Sequence, residues 1–212
     1  NIIFFNQGFK KCPKNICDSK NTKCRHIEYS YEDLTHANKF IFQESKLNNF
    51  NNILVLEDDF ILSNKLYQKK IISSLQEIVK SYEKTKKSLV LRLGCIPILS
   101  TPYSNKDFRK GLLSVGTHAV IYNKKAIQTL LSIRKVNDVD LNLSLLFMNE
   151  QLYYNIPLVY QLFPETENRK NWGKEYGNFL SVLFILFTSK VIKSLQLHEK
   201  EEPGYSFTYK YH

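Results

Sequence analysis

Three consecutive carboxylates, Glu57-Asp58-Asp59, follow directly on the aliphatic run Ile53-Leu54-Val55-Leu56 and precede a second apolar run, Phe60-Ile61-Leu62. Clustered negative charges repel one another and lose hydration when buried, so a positive partner is expected. A hard divalent cation, Mn²⁺ or Mg²⁺, takes one or two protein carboxylates and completes its shell with phosphate oxygens and water. Alternate residues of an extended chain share a side, which puts Glu57 and Asp59 together and turns Asp58 away. Asp59 with Glu57 is the expected metal pair, and Glu57, Asp58 and Asp59 together the expected cradle of a metal–diphosphate. The competing reading is an acidic loop that caps the next helix.

Other side chains point to chemistry less directly. Asp138 and Asp140 precede the apolar segment 141–147. A carboxylate beside an acceptor hydroxyl serves as general base, whereas an aspartate at a helix N-cap needs no such role; both readings stand. His118 follows Gly116, whose missing side chain permits close backbone approach to a ligand, and the alternative is a histidine satisfied in the core. Arg92 interrupts an apolar strand, where burial calls for an anionic partner, either the acidic motif or a bound donor. Glu165, Glu167, Asn168, Arg169, Lys170 and Trp172 form a polar stretch with one tryptophan, either a sugar- or base-stacking loop or a connector.

The elements that must position these residues alternate between strand and helix patterns. Residues 2–5 read as a strand, followed by a polar loop. Ser30-x-x-Asp33 has the form of a capping box and opens a helix with Leu34, Ala37, Ile41 and Ser45 on one face. An asparagine-rich turn over 48–52 ends it. Residues 53–56 read as a strand buried on both faces that opens at the edge of an α/β sheet, where ligand crevices lie. Tyr67, Ile71, Leu75, Ile78 and Tyr82 repeat at helical spacing over 65–82. A strand over 88–93 is broken by Gly94, one or two strands run over 112–122, and a helix covers 124–134. A further helix starts near Asp140, a late strand spans 158–162, and 179–197 is a helix with an apolar first half. The alternation predicts a layered α/β fold in one domain, 1–212, with 178–212 a C-terminal helix and tail.

Composition narrows the function classes. A chain of 212 residues, 43% of them hydrophobic, builds one sizeable core. The net charge of +10 favours anionic partners: nucleotides, phosphorylated glycans, nucleic acid or an acidic membrane surface. The lysines are dispersed rather than gathered in a run, which speaks for a solvated surface and against nucleic acid. Cys12, Cys17 and Cys24 with His26 lack the paired short spacings of zinc modules, so free thiols are the default, with one disulfide as alternative. No apolar run approaches the ~20 residues that span a bilayer. The expected location is cytoplasmic, or an endomembrane lumen if an N-terminal segment was trimmed, and 179–197 leaves peripheral membrane contact open.

The order helix, Asn-rich turn, Ile-Leu-Val-Leu-Glu-Asp-Asp-Phe resembles the centre of glycosyltransferase family 25, which includes lipopolysaccharide-type sugar transferases and collagen galactosyltransferases. Thr35-His36-Ala37 falls where the family often shows Ser-His. Gly116-Thr117-His118-Ala119-Val120-Ile121-Tyr122-Asn123-Lys124-Lys125-Ala126 resembles its Gly-Thr-x-Ala-Tyr segment, and Asp138-Val139-Asp140 its later Val-Asp element. The four landmarks cover about residues 30–165. The resemblance implies a GT-A type mixed sheet flanked by helices, a nucleotide-sugar donor, usually Mn²⁺, and a glycan or protein acceptor. It places Asp140 as catalytic base with Asp138 as alternate, and Glu57, Asp58, Asp59, Arg92, Gly116 and His118 around the donor. One departure stands out: the family's Asn-Leu-x-x-Arg-like motif on its first strand is replaced by Asn6-Gln7-Gly8-Phe9-Lys10-Lys11. Either that strand was trimmed away, or the chain is divergent or inactive, in which case a non-catalytic binding or scaffold protein is the rival reading.

Overall fold

The computed structural model describes residues 30–132 and 150–161, together with Ile3 and Ile27. In chain order the elements are α1 (Ser30–Leu47), β1 (Asn52–Leu56), β2 (Phe60–Leu62), a 3₁₀ turn (Asn64–Tyr67), α2 (Lys69–Thr85), β3 (Leu89–Pro102), β4 (Phe108–Asn123), α3 (Lys124–Ser132), β5 (Glu150–Tyr154) and β6 (Val159–Gln161). The protein is mixed α/β. A four-stranded mixed sheet has the order β1-β4-β3-β5, and β2 with β6 forms a two-stranded ribbon. Among the described residues only β3 and β5 pair in parallel; β1–β4, β3–β4, β4–β5 and β2–β6 are antiparallel.

The core is split by the sheet. Leu89, Leu91, Leu93, Ala119 and Leu152 face Ile71, Leu75, Ile78 and Tyr82 of α2. Val55, Val90, Val120 and Tyr122 face Phe42 of α1 and Ala126, Ile127 and Leu130 of α3. This follows from the two-residue period of the strands against the helical spacing of the apolar residues. β3 and β4 form one long hairpin with register shifts at Arg92/Gly94, Gly94/Ile96, Pro97/Leu99 and Leu99/Ser100. Such bulges bend a hairpin, and the bend lets the start of β4 pair with β5 on the side away from β3's first residues, Phe108 opposite Tyr154. Two tethers from α2 hold the hairpin end: Ser74 Oγ donates to Asp107 Oδ2 at 2.8 Å, and the Tyr82 and Tyr103 hydroxyls meet at 3.1 Å.

Several expectations change. The strand over 53–56 is present but is not buried on both faces: β1 lies at the end of the sheet order, with Leu54 50% and Leu56 39% exposed. α2 reaches this strand at its start, where Asn52 Nδ2 donates to Glu83 Oε1 at 2.5 Å, while Leu54 and Leu56 further along stay exposed. The helix expected from Lys65 starts at Lys69 after the 3₁₀ turn, leaving Tyr67 58% exposed, while Ile71, Leu75, Ile78 and Tyr82 are buried as its spacing indicates. On α1 the buried residues are Asp33, Thr35, Asn38, Phe42 and Ser45; of the expected face Ser45 is buried, and Leu34, Ala37 and Ile41 are half-buried. Gly94 does not break β3, which runs on through a bulge. β5 was not expected from the sequence. The strand over 2–5 and the segment 179–197 lie outside the described residues.

Asn123 shows how the last strand residue starts α3. Its Oδ1 accepts from Ala126 N at 2.9 Å, an N-cap bond, and from Leu89 N at 3.0 Å, while its Nδ2 donates to Lys87 O at 2.7 Å. The edge position of β1 yields a contrast in stability. Leu91→Ala, at a fully buried site, is expected to cost about 2–5 kcal/mol, and Leu54→Ala less than about 1 kcal/mol. Urea unfolding of both variants checks it; equal losses contradict the edge assignment.

Candidate functional site

The acidic triplet occupies the turn between β1 and β2. Glu57 and Asp59 are half-buried and Asp58 is exposed, in keeping with the expected alternation, although residues 57–59 are no longer strand. The turn is tied to β4. Glu57 N donates to His118 O at 3.0 Å, continuing the β1–β4 ladder beyond Leu56, and Thr117 Oγ1 donates to Glu57 Oε1. The acidic motif and the Gly116-Thr117-His118 motif, sixty residues apart in the chain, therefore meet in space.

His118 is 5% exposed. Its Nε2 lies 3.3 Å from Val159 O; a carbonyl only accepts, so the proton sits on Nε2 and Nδ1 is the bare nitrogen. The imidazole passes over β3 at Gly94. A Cβ at Gly94 would overlap both Val159 O and His118 Nε2, so only glycine leaves the passage open. Gly116 has φ +100, in the region that favours glycine, and a Cβ there would stand 3.2 Å from His118 Nδ1. Arg92, 1% exposed, donates from Nη1 to Gly116 O. It stands opposite Val120 in the ladder, two residues on from Val90, which places it on the sheet face that carries α1 and α3.

The β2–β6 ribbon closes this corner. Leu62 pairs with Val159, Ser63 N donates to Leu158 O at 2.9 Å, and Leu158 N donates to Leu93 O at 2.8 Å. β6 thus follows β3 beyond the stretch, ending at Arg92, that pairs with β5.

Among the described residues no three His, Cys, Asp or Glu side chains converge as a metal site. The candidate donors are the Glu57 and Asp59 carboxylates, hard oxygens within one turn, and Glu57 Oε1 already accepts from Thr117. Two carboxylates suffice for Mg²⁺ or Mn²⁺ when phosphate oxygens and water supply the rest. Asp138 and Asp140 lie outside the described residues, as do Trp172, Cys12, Cys17 and Cys24; Cys95, on β3, is half-buried. Thr117 and Gly94 were not expected to matter here. Thr117 stands within the recognised motif yet carried no separate signal, and Gly94 read as a strand break because an isolated glycine does not say what passes over it. Among the described residues no helix is long and apolar enough to cross a membrane. Comparison of the chain with models of known protein families and with curated proteins finds no match.

Burial lowers the His118 pKa from 6.5 to about 4; the Val159 bond opposes that shift and the Arg92 charge adds to it. The folded protein keeps the imidazole neutral down to about pH 4, whereas the unfolded chain takes up its proton near pH 6.5. Stability from this group is full above that unfolded value and lost as the pH falls toward the folded one, an effect of about 3 kcal/mol. Urea unfolding of wild type and His118→Gln between pH 7.5 and 4.5 should show this extra acid loss in wild type only; parallel curves contradict it.

Proposed function

We propose that the protein is a metal-dependent glycosyltransferase of GT-A type that moves a hexose from a UDP-sugar to a hydroxyl of a glycan or protein acceptor. The observation that carries this reading is the meeting of the acidic turn with the Gly116-Thr117-His118 segment, joined by the Thr117–Glu57 and Glu57–His118 bonds. Those are two of the four landmarks shared with glycosyltransferase family 25, and they fall at one corner of an α/β sheet. Glu57 and Asp59 hold a divalent cation, Mn²⁺ or Mg²⁺, and Asp58 completes the acidic rim. When bound, the cation neutralises charge that develops on the departing nucleoside diphosphate.

The remaining roles follow from residue chemistry. Gly116 lets the backbone approach the donor, and Arg92 and His118 support that backbone from the buried side. Asp140, with Asp138 as alternate, removes the proton of the acceptor hydroxyl while its oxygen bonds to the sugar C1 and the C1–O bond to the diphosphate breaks. The net positive charge of the chain favours anionic donors, and its dispersed lysines give no reason to add nucleic acid to the partners.

A second reading, a non-catalytic GT-A-like binding or scaffold protein, draws on the segment Asn6-Gln7-Gly8-Phe9-Lys10-Lys11, which lacks the arginine of the family's first-strand motif. Calorimetric titration of the full chain with UDP decides the donor site. Binding is expected only with Mn²⁺ or Mg²⁺, and Glu57→Ala or Asp59→Ala should weaken it by about tenfold or more, as loss of a charged contact does. Metal-independent binding, or none, sinks the proposal. UDP-sugar hydrolysis then separates enzyme from scaffold: an enzyme turns over faster than Asp59→Ala, a scaffold equals it.

A further inference from the structure

We propose that His118 is the positioning residue of the acidic turn: its side chain reaches across the gap at Gly94 to the Val159 carbonyl and thereby fixes, through the β2–β6 ribbon, where Glu57 and Asp59 stand. The inference rests on reading that turn as a metal–diphosphate site, and it gives His118 a task other than contact with the donor.

Both ends of the turn lead back to this one residue. At the entrance, the His118 carbonyl accepts the Glu57 N–H at 3.0 Å. At the exit, Asp59 passes directly into Phe60 of β2, and Leu62 of β2 pairs with Val159, the residue whose carbonyl the imidazole holds. The carboxylates therefore sit on a closed circuit of backbone and side-chain bonds that starts and finishes at His118. The circuit is buried where it crosses the sheet, since His118 is 5% and Val159 1% exposed. It also has a geometric requirement outside the turn. Gly94 must lack a side chain, because a Cβ there would occupy the space of both bonded atoms.

The ribbon has independent supports. Leu158 N bonds Leu93 O and Ser63 N bonds Leu158 O. These bonds adjoin Val159 at the end of the ribbon away from the turn, so loss of the imidazole donor loosens the ribbon and the turn that leads into it while Leu158 stays docked on Leu93. That separation makes the role measurable apart from gross folding.

Three variants of the full chain test it. His118→Leu removes the N–H at similar bulk, His118→Asn keeps an amide but is too short to reach Val159, and His118→Gln places an amide N–H near the Nε2 position. Hydrogen exchange over residues 57–63 reads the turn, and calorimetry with UDP and Mn²⁺ reads the site. With secondary structure retained by circular dichroism, the Leu and Asn variants should exchange about tenfold faster and bind about tenfold more weakly, the scale of one lost hydrogen bond. The Gln variant should stay within about threefold of wild type in both. If either short or apolar variant folds and exchanges like wild type, the positioning role is overturned. Faster exchange with unchanged affinity overturns it too, as does a Gln variant as loose as the Leu variant. Failure of wild type to bind UDP with Mn²⁺ removes the site reading instead, and the exchange comparison still decides whether His118 holds the turn.

Discussion

The structure turns on a gap. At Gly94, in the middle of a strand packed on both faces, the chain leaves out a side chain so that an imidazole from β4 can reach a carbonyl of β6. A buried imidazole is tolerable only neutral and hydrogen-bonded, since a charge there would lose its hydration beside the Arg92 guanidinium. The bond to Val159 meets the second need at one nitrogen, and burial enforces the first. Any larger residue at Gly94 would push the imidazole and the carbonyl away together. The ribbon would then lose its register against β3, and the acidic turn that leads into it would lose one of its two anchors.

The same corner explains why the acidic triplet is not a simple surface loop. A solvated loop between two strands has no reason to give a carboxylate oxygen a hydroxyl partner that is itself 5% exposed, as Thr117 is. The Thr117 hydroxyl thereby restrains one oxygen of the Glu57 carboxylate. Preorganisation of this kind lowers the ordering cost when a ligand arrives.

What could be read from the sequence divides along physical lines. α2 was legible because its apolar residues repeat at helical spacing over about three turns and tertiary packing agrees with them: Ile71, Leu75, Ile78 and Tyr82 are all buried. β1 was legible as a strand but not as an edge. An aliphatic run reports hydrophobicity, while exposure of Leu54 and Leu56 depends on what the folded chain packs over them, a long-range property. β5 was missed because Glu150-Gln151-Leu152-Tyr153-Tyr154 has no alternation of apolar and polar residues; it is buried by neighbours on both edges, β3 and β4, not by its own pattern. Of the site, the carboxylates were visible by charge and the Gly-Thr-His segment by resemblance. That the two touch was not visible, since no local rule links residues sixty apart.

The segment 116–123 of β4 is where fold and site cannot be separated. Gly116 O receives Arg92, Thr117 orients Glu57, His118 holds both Glu57 N and Val159, and 119–123 pairs with β1 along its whole length. Its last residue, Asn123, then starts α3 and anchors the entry to β3. One continuous strand carries these bonds, so a change at its centre reaches the sheet, the helix behind it and the acidic turn at once. Single-site loss of function in this stretch is therefore ambiguous by construction. Only a donor-restoring replacement such as glutamine at His118 distinguishes a broken circuit from a broken core, because it returns one bond and nothing else.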